Sequence, residues 1–101
     1  MSGWRLRPKA VEDLQAIGDF IATDNPARAV SFIDELLALC AGIAERPRAH
    51  RRRDDLAPGL RQAIHGRYLI LFTAGEDAIV IERIVHGARR PRKPFMTLSI
   101  E

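Results

Sequence analysis

Two apolar runs in the C-terminal half, residues 67–73 and 78–85, are separated only by Ala74-Gly75-Glu76-Asp77. Gly and Asp in so short a link make a hairpin turn, so the two runs are expected to pair as antiparallel strands. The first is strongly apolar and reads as the centre of a sheet. The second runs directly into His86-Gly87-Ala88-Arg89-Arg90. This sets a cationic, titratable cluster at the sheet rim, where a small domain engages an anionic or acidic partner. Upstream, residues 60–64 form a further strand, with His65-Gly66 turning the chain into the central one.

The N-terminal half has a different period. Trp4-Arg5-Leu6-Arg7 alternates apolar and basic as a short strand does, and Pro8 suits the first turn of a helix. Ala10, Leu14, Ile17 and Ile21 then recur at helical spacing, with Val11 and Phe20 flanking the same side. This predicts a helix over about 8–23, with Glu12 and Asp13 favouring its positive N-terminal end. Asp24-Asn25-Pro26 is a break and a restart, since Asn caps a helix and Pro fits its first position. Ala29, Phe32, Ile33, Leu36, Cys40 and Ile43 mark a second stripe, widened by Leu37 and Leu39, over about 26–45. The short link makes the two helices an antiparallel hairpin. Residues 46–59 read as an irregular basic loop. The resulting class is α+β: a two-helix antiparallel hairpin packed on one face of a twisted, mainly antiparallel sheet, in the order β-α-α-β-β-β.

With 101 residues, one domain spanning 1–101 is expected, its last stretch, 91–101, forming a tail that Phe95, Met96, Leu98 and Ile100 dock as an edge strand or leave free. No apolar run approaches the roughly 20 residues of a membrane span, and the N-terminus has no signal-peptide core, so no membrane association and a cytoplasmic address are expected. Cys40 is the single cysteine, which excludes an internal disulfide; on the apolar stripe it reads as a packed thiol. Neither His50 nor His65 stands at metal-site spacing from Cys40, and there is no glycine-rich phosphate loop, so no metal and no cofactor are expected. Charge is uneven: residues 51–101 hold ten Lys/Arg against six Asp/Glu, while residues 1–50 hold six against seven. The excess lies in Arg51-Arg52-Arg53 and Arg89-Arg90-Pro91-Arg92-Lys93, clusters that suit nucleic acid or an acidic protein surface.

An ordered set of segments carries a resemblance: Asp24-Asn25-Pro26 with Ala29 and Phe32-Ile33, Pro58-Gly59-Leu60-Arg61, Gly66-Arg67-Tyr68-Leu69-Ile70, and Ile81-Glu82-Arg83-Ile84-Val85-His86-Gly87-Ala88-Arg89. From about Leu6 to Arg90 the chain resembles the ParE toxins of the RelE/ParE superfamily. The resemblance implies a toxin of a type II toxin–antitoxin module, with two helices against a twisted antiparallel sheet. Its partners would be a ParD-like antitoxin that wraps it, the DNA-cleaving component of DNA gyrase as target, and operator DNA reached through the antitoxin. Arg90 departs from the family pattern, which commonly has an acidic or amide residue there.

Three functions follow in order. The first is a non-enzymatic gyrase inhibitor neutralised by its antitoxin. Its binding surface would combine apolar sheet left uncovered by the hairpin with a trough of cations and polar rings: Arg61, Arg67, Tyr68, Arg83, His86, Arg89 and Arg90. The second is a RelE-like, ribosome-dependent messenger RNA endoribonuclease, which needs a base, an acid and cations at one point, here Arg61, Tyr68, Arg83 and His86. The third is a non-toxic corepressor module that only binds the antitoxin. Strict alternation along 79–86 puts Arg83 with Ile79, Ile81 and Val85, and His86 with Val80, Glu82 and Ile84, on opposite faces, which disfavours a shared catalytic site. An ion pair to Asp13 or Asp19 is the competing role for Arg83.

Overall fold

A computed structural model describes residues 3–87 of the chain. Arg89, Arg90 and the tail, 91–101, lie outside the described residues. Strand β1 (Gly3–Leu6) leads into helix α1 (Pro8–Ala22) and helix α2 (Pro26–Glu45). A single 3-10 turn (Pro47–Ala49) follows, then β2 (Arg51–Arg52), β3 (Arg61–His65), β4 (Tyr68–Ala74) and β5 (Ala78–His86). Both helices begin on proline, and the Asn25 side chain caps α2 by accepting from the Arg28 backbone N–H at 3.0 Å. No helix among the described residues is long and apolar enough to cross a membrane.

The five strands form one sheet in the order β1-β5-β4-β3-β2. β4 is its centre, as its unbroken apolar run requires. β1 lies parallel to β5, and the other pairings are antiparallel. The parallel edge explains how a chain that starts with a strand and continues into two helices still closes: the hairpin crosses the sheet before β2 to β5 are laid down. Residues 46–59 are more ordered than their composition predicts. The 3-10 turn and the two-residue β2 appear because Arg51 and Arg52 find register partners in Gln62 and Arg61.

The helix hairpin covers one face. Leu14, Ile17, Phe32, Leu36, Cys40 and Ile43 pack on Ala63, Ile70, Phe72, Ile79, Ile81 and Ile84. Burial pushes the Cys40 thiol up to about 11, so it is an inert part of this core. Val11 and Phe20 do not join it. They are 39% and 72% exposed, because the helix seats Ala10, Leu14 and Ile17 on the sheet and turns those two positions outward. Glu12 and Asp13 fall beyond the first turn and do not serve the helix end. Asp13 turns instead to β5.

The opposite face has a smaller cluster. Leu56, Ala57 and Leu60 from the loop before β3 cover Leu71, with Val85 alongside. Loop residue Asp54 is fixed by accepting from the Gly59 N–H and the Arg52 guanidinium, which hold its carboxyl below the usual range.

A β-bulge interrupts β5. Leu71 pairs with Arg83, but Phe72 pairs with Ile81, leaving Glu82 as the extra residue. This overturns the strict alternation expected along 79–86. Ile79, Ile81 and Ile84 all join the helix-side core, so Arg83 leaves the face of Ile79 and Ile81 and shares the opposite one with Val85. Glu82 is 3% exposed, and its carboxylate is satisfied by Arg7 at 2.8 Å and the Thr73 hydroxyl at 2.9 Å.

Candidate functional site

The β3–β4 turn and the end of β5 meet through two glycines, one needed for its backbone angle and the other for close approach. Gly66 has φ +58°, the left-handed region that glycine enters without steric cost. Gly87 donates its N–H to the Arg67 carbonyl at 2.6 Å, and a Cβ there would stand 3.2 Å from that oxygen. The close approach ties the last residue of the hairpin turn to the first residue past β5. Beside it lies a shallow hollow of about 420 Å³, lined by Ile64, Gly66, Arg67, Leu69, His86 and Gly87.

The hollow is open because loop residues 54–60 cover the far face only at the Leu71 end. Ile64, two strand positions past Gln62, has nothing over it and is 64% exposed. An apolar floor of Ile64 and Leu69, with a cation at the rim, offers a partner both a hydrophobic anchor and a site for an acidic group. The Arg67 side chain makes no ion pair or hydrogen bond with any described residue, so its charge is available there.

The expected site residues divide into two sets. Arg67, Tyr68 and His86 come together. Tyr68 is the register partner of both His65 and His86, so three rings line up across β3, β4 and β5. Tyr68 meets His86 edge-on at 5.1 Å, and Phe32 of α2 lies 5.6 Å from Tyr68 and 5.2 Å from His65. Arg61 and Arg83 lie elsewhere, so among the described residues of the expected five-arginine trough only Arg67 lines the hollow.

Arg61 is aligned with Phe72, four positions along β4 from Tyr68, which is roughly 13 Å of strand. Its guanidinium donates to the His50 carbonyl at 2.7 Å. Arg83 is tied to α1, the ion pair weighed from sequence. It donates to both Asp13 oxygens at 2.7 and 2.9 Å, and Asp13 holds the guanidinium pKa above its ordinary value. The same carboxylate accepts the Ile84 backbone N–H at 2.9 Å, on the edge of β5 that β1 leaves open past Ile81. Arg61, Tyr68, Arg83 and His86 therefore do not converge on one point.

Sequence reasoning missed the floor and one polar cluster. Ile64 and Leu69 were legible as far-face residues from alternation along β3 and β4, but their exposure depends on where the loop stops. The cluster is Glu35 with its neighbours: Arg28 donates to Glu35 at 2.6 Å, and His65 Nε2 lies 2.8 Å from the other oxygen. Arg28, then His65, lower the Glu35 pKa to about 2. The spacing of Arg28 and Glu35 on one helix face was a signal; nothing in the sequence pointed to His65. Among the described residues, no group of three His, Cys, Asp or Glu side chains is placed to hold a metal.

Comparison with known proteins accords with this architecture. The family model described as the ParE toxin of the type II toxin–antitoxin system parDE matches residues 4–91. The fold is similar to a chain of the chromosomal ParDE system from P. aeruginosa, with TM-score 0.72 and 21% identity over 85% of this chain and 96% of that one. It is also similar to a chain of the RelBE2 toxin–antitoxin complex from Mycobacterium tuberculosis, with TM-score 0.54 and 24% identity over 84% and 96%. No curated protein sequence matches.

Proposed function

This chain belongs to the ParE toxin family of type II toxin–antitoxin systems, and on that premise we propose that it inhibits DNA gyrase, stalling it on cleaved DNA, and is held silent by a ParD-like antitoxin. The observation that carries the reading is the uncovered end of the sheet: exposed Ile64 and half-buried Leu69 beside Arg67, whose charge no described residue pairs. A segment of the antitoxin seats an apolar side chain on that floor and an acidic one on Arg67. Binding rather than catalysis is supported by the fate of the cations a ribonuclease would use. Arg61 is spent on a backbone carbonyl and Arg83 on Asp13. The protein acts in the cytoplasm, where its target and its antitoxin are made.

A supercoiling assay with purified toxin tests the target. The expected result is loss of supercoiling with accumulation of cleaved plasmid, reversed by adding the antitoxin. Normal supercoiling at excess toxin, or codon-phased cleavage of translated messages in a primer-extension assay, overturns the reading.

A further inference from the structure

The edge of the sheet farthest from β1 carries a second, chemically different surface. Residues 45–61 hold six arginines and three acids, a net of +3 equal to that of the whole chain. Two of those acids are already engaged, Asp54 with Arg52 and Asp55 with Arg53, both at 2.8 Å. Arg61 is turned to the His50 carbonyl. Arg46, Arg48 and Arg51 remain. All three are exposed, and none makes a side-chain hydrogen bond or ion pair with any described residue. Arg46 caps the end of α2, Arg48 lies in the 3-10 turn, and Arg51 opens the edge strand β2, so the order of the chain places them in succession along one margin.

What such a margin fits is decided by what it lacks. The exposed large apolar side chains among the described residues are Val11, Phe20, Val30 and Ile64, and none lies in residues 45–61. A protein partner needs an apolar, desolvated centre to anchor on. A phosphate backbone needs only cations, because its affinity comes from releasing condensed counterions. Arginine matches phosphate with a planar, multidentate donor set. Duplex DNA has a higher linear charge density than a single strand, so each contact returns more.

We propose that Arg46, Arg48 and Arg51 form a sequence-independent contact to the phosphates of duplex DNA. The contact positions the toxin without reading bases. It goes beyond the gyrase reading, so it stands or falls on binding by the toxin alone.

The test is fluorescence anisotropy of a labelled DNA duplex titrated with the full-length toxin at graded salt, beside an Arg46→Gln/Arg48→Gln/Arg51→Gln variant. Three phosphate contacts give the margin a share of about −3 in the slope of log K against log salt. The triple variant is expected to lose that share and to bind at least tenfold more weakly at low salt. Arg48→Gln alone, at an exposed site that leaves the fold intact, is expected to reduce the slope by about 1. A variant with Arg89, Arg90, Arg92 and Lys93 changed to Gln is expected to keep the margin's share. Unchanged binding by the triple variant, or a loss confined to the C-terminal variant, overturns the proposal. Tighter binding to duplex RNA or to polyglutamate than to DNA overturns the assignment to DNA.

Discussion

Both faces of the sheet carry apolar side chains, yet only one is closed. On the helix side, two amphipathic helices lay a continuous stripe across β3, β4 and β5 and bury Ile70, Phe72, Ile81 and Ile84. On the far side a single short loop covers Leu71 and stops before Ile64. The helices are long enough to span the sheet, while the loop is limited by the Asp54–Gly59 hydrogen bond that folds it back on itself. Closure thus follows from the reach of the covering element as well as from the apolar character of the strand face. The uncovered remainder is the hollow floored by Ile64 and Leu69.

The sharpest way to break this comparison is to perturb each side in turn. Phe72→Ala empties the closed face at a fully buried position, and denaturant unfolding is expected to show a loss of about 3–5 kcal/mol. Should Phe72→Ala cost less than about 1 kcal/mol, the helix-side core is not what holds the fold. Asp13→Ala removes the acceptor for Ile84 N–H and the partner of Arg83 together, and is expected to cost about 1–3 kcal/mol in the same assay. Near-neutral behaviour would mean that water replaces the carboxylate at the open edge of β5.

Ile64→Asp is expected to leave the unfolding free energy within about 0.5 kcal/mol of the wild type, because the side chain already stands in solvent. The same change is expected to weaken antitoxin binding at least tenfold by calorimetry, since it charges the floor of the hollow. A stability loss as large as that of Phe72→Ala, or unaltered antitoxin affinity, would erase the distinction between the faces. The smallest effect concerns Glu35, which bridges α2 and β3. Its folded pKa is depressed to about 2, first by Arg28 and then by His65. A depressed carboxyl contributes stability above its unfolded value of about 4.3 and loses that contribution as pH falls towards the folded value. Carboxyl NMR is expected to place the Glu35 midpoint near 2, moving up in Arg28→Ala. An ordinary midpoint in the wild type would mean the pair is not held in solution.

Much of this molecule is written in short-range pattern. The bounds of α2, its Asn25 cap, the turn at Ala74 to Asp77 and the centrality of β4 were legible because each depends on neighbours a few residues apart. Periodicity and capping act at that range. What escaped the sequence depends on partners far along the chain. The bulge at Glu82 exists where β5 must satisfy both β4 and the pairing of buried Glu82 with exposed Arg7, 75 residues apart in sequence, and it reversed the facing of Arg83. β2 forms only because β3 is present to pair with it. Whether an arginine is free or spent was likewise undecidable from its own neighbourhood: Arg83 meets Asp13 from 70 residues away, while Arg67 meets no carboxylate among the described residues. The linear pattern determined the two helices, the long strands and the central stripes they bury, because those choices minimise local exposure of apolar side chains. The packed structure decided which cations remain available to a partner, because pairing of charge depends on distance in space and not on order along the chain.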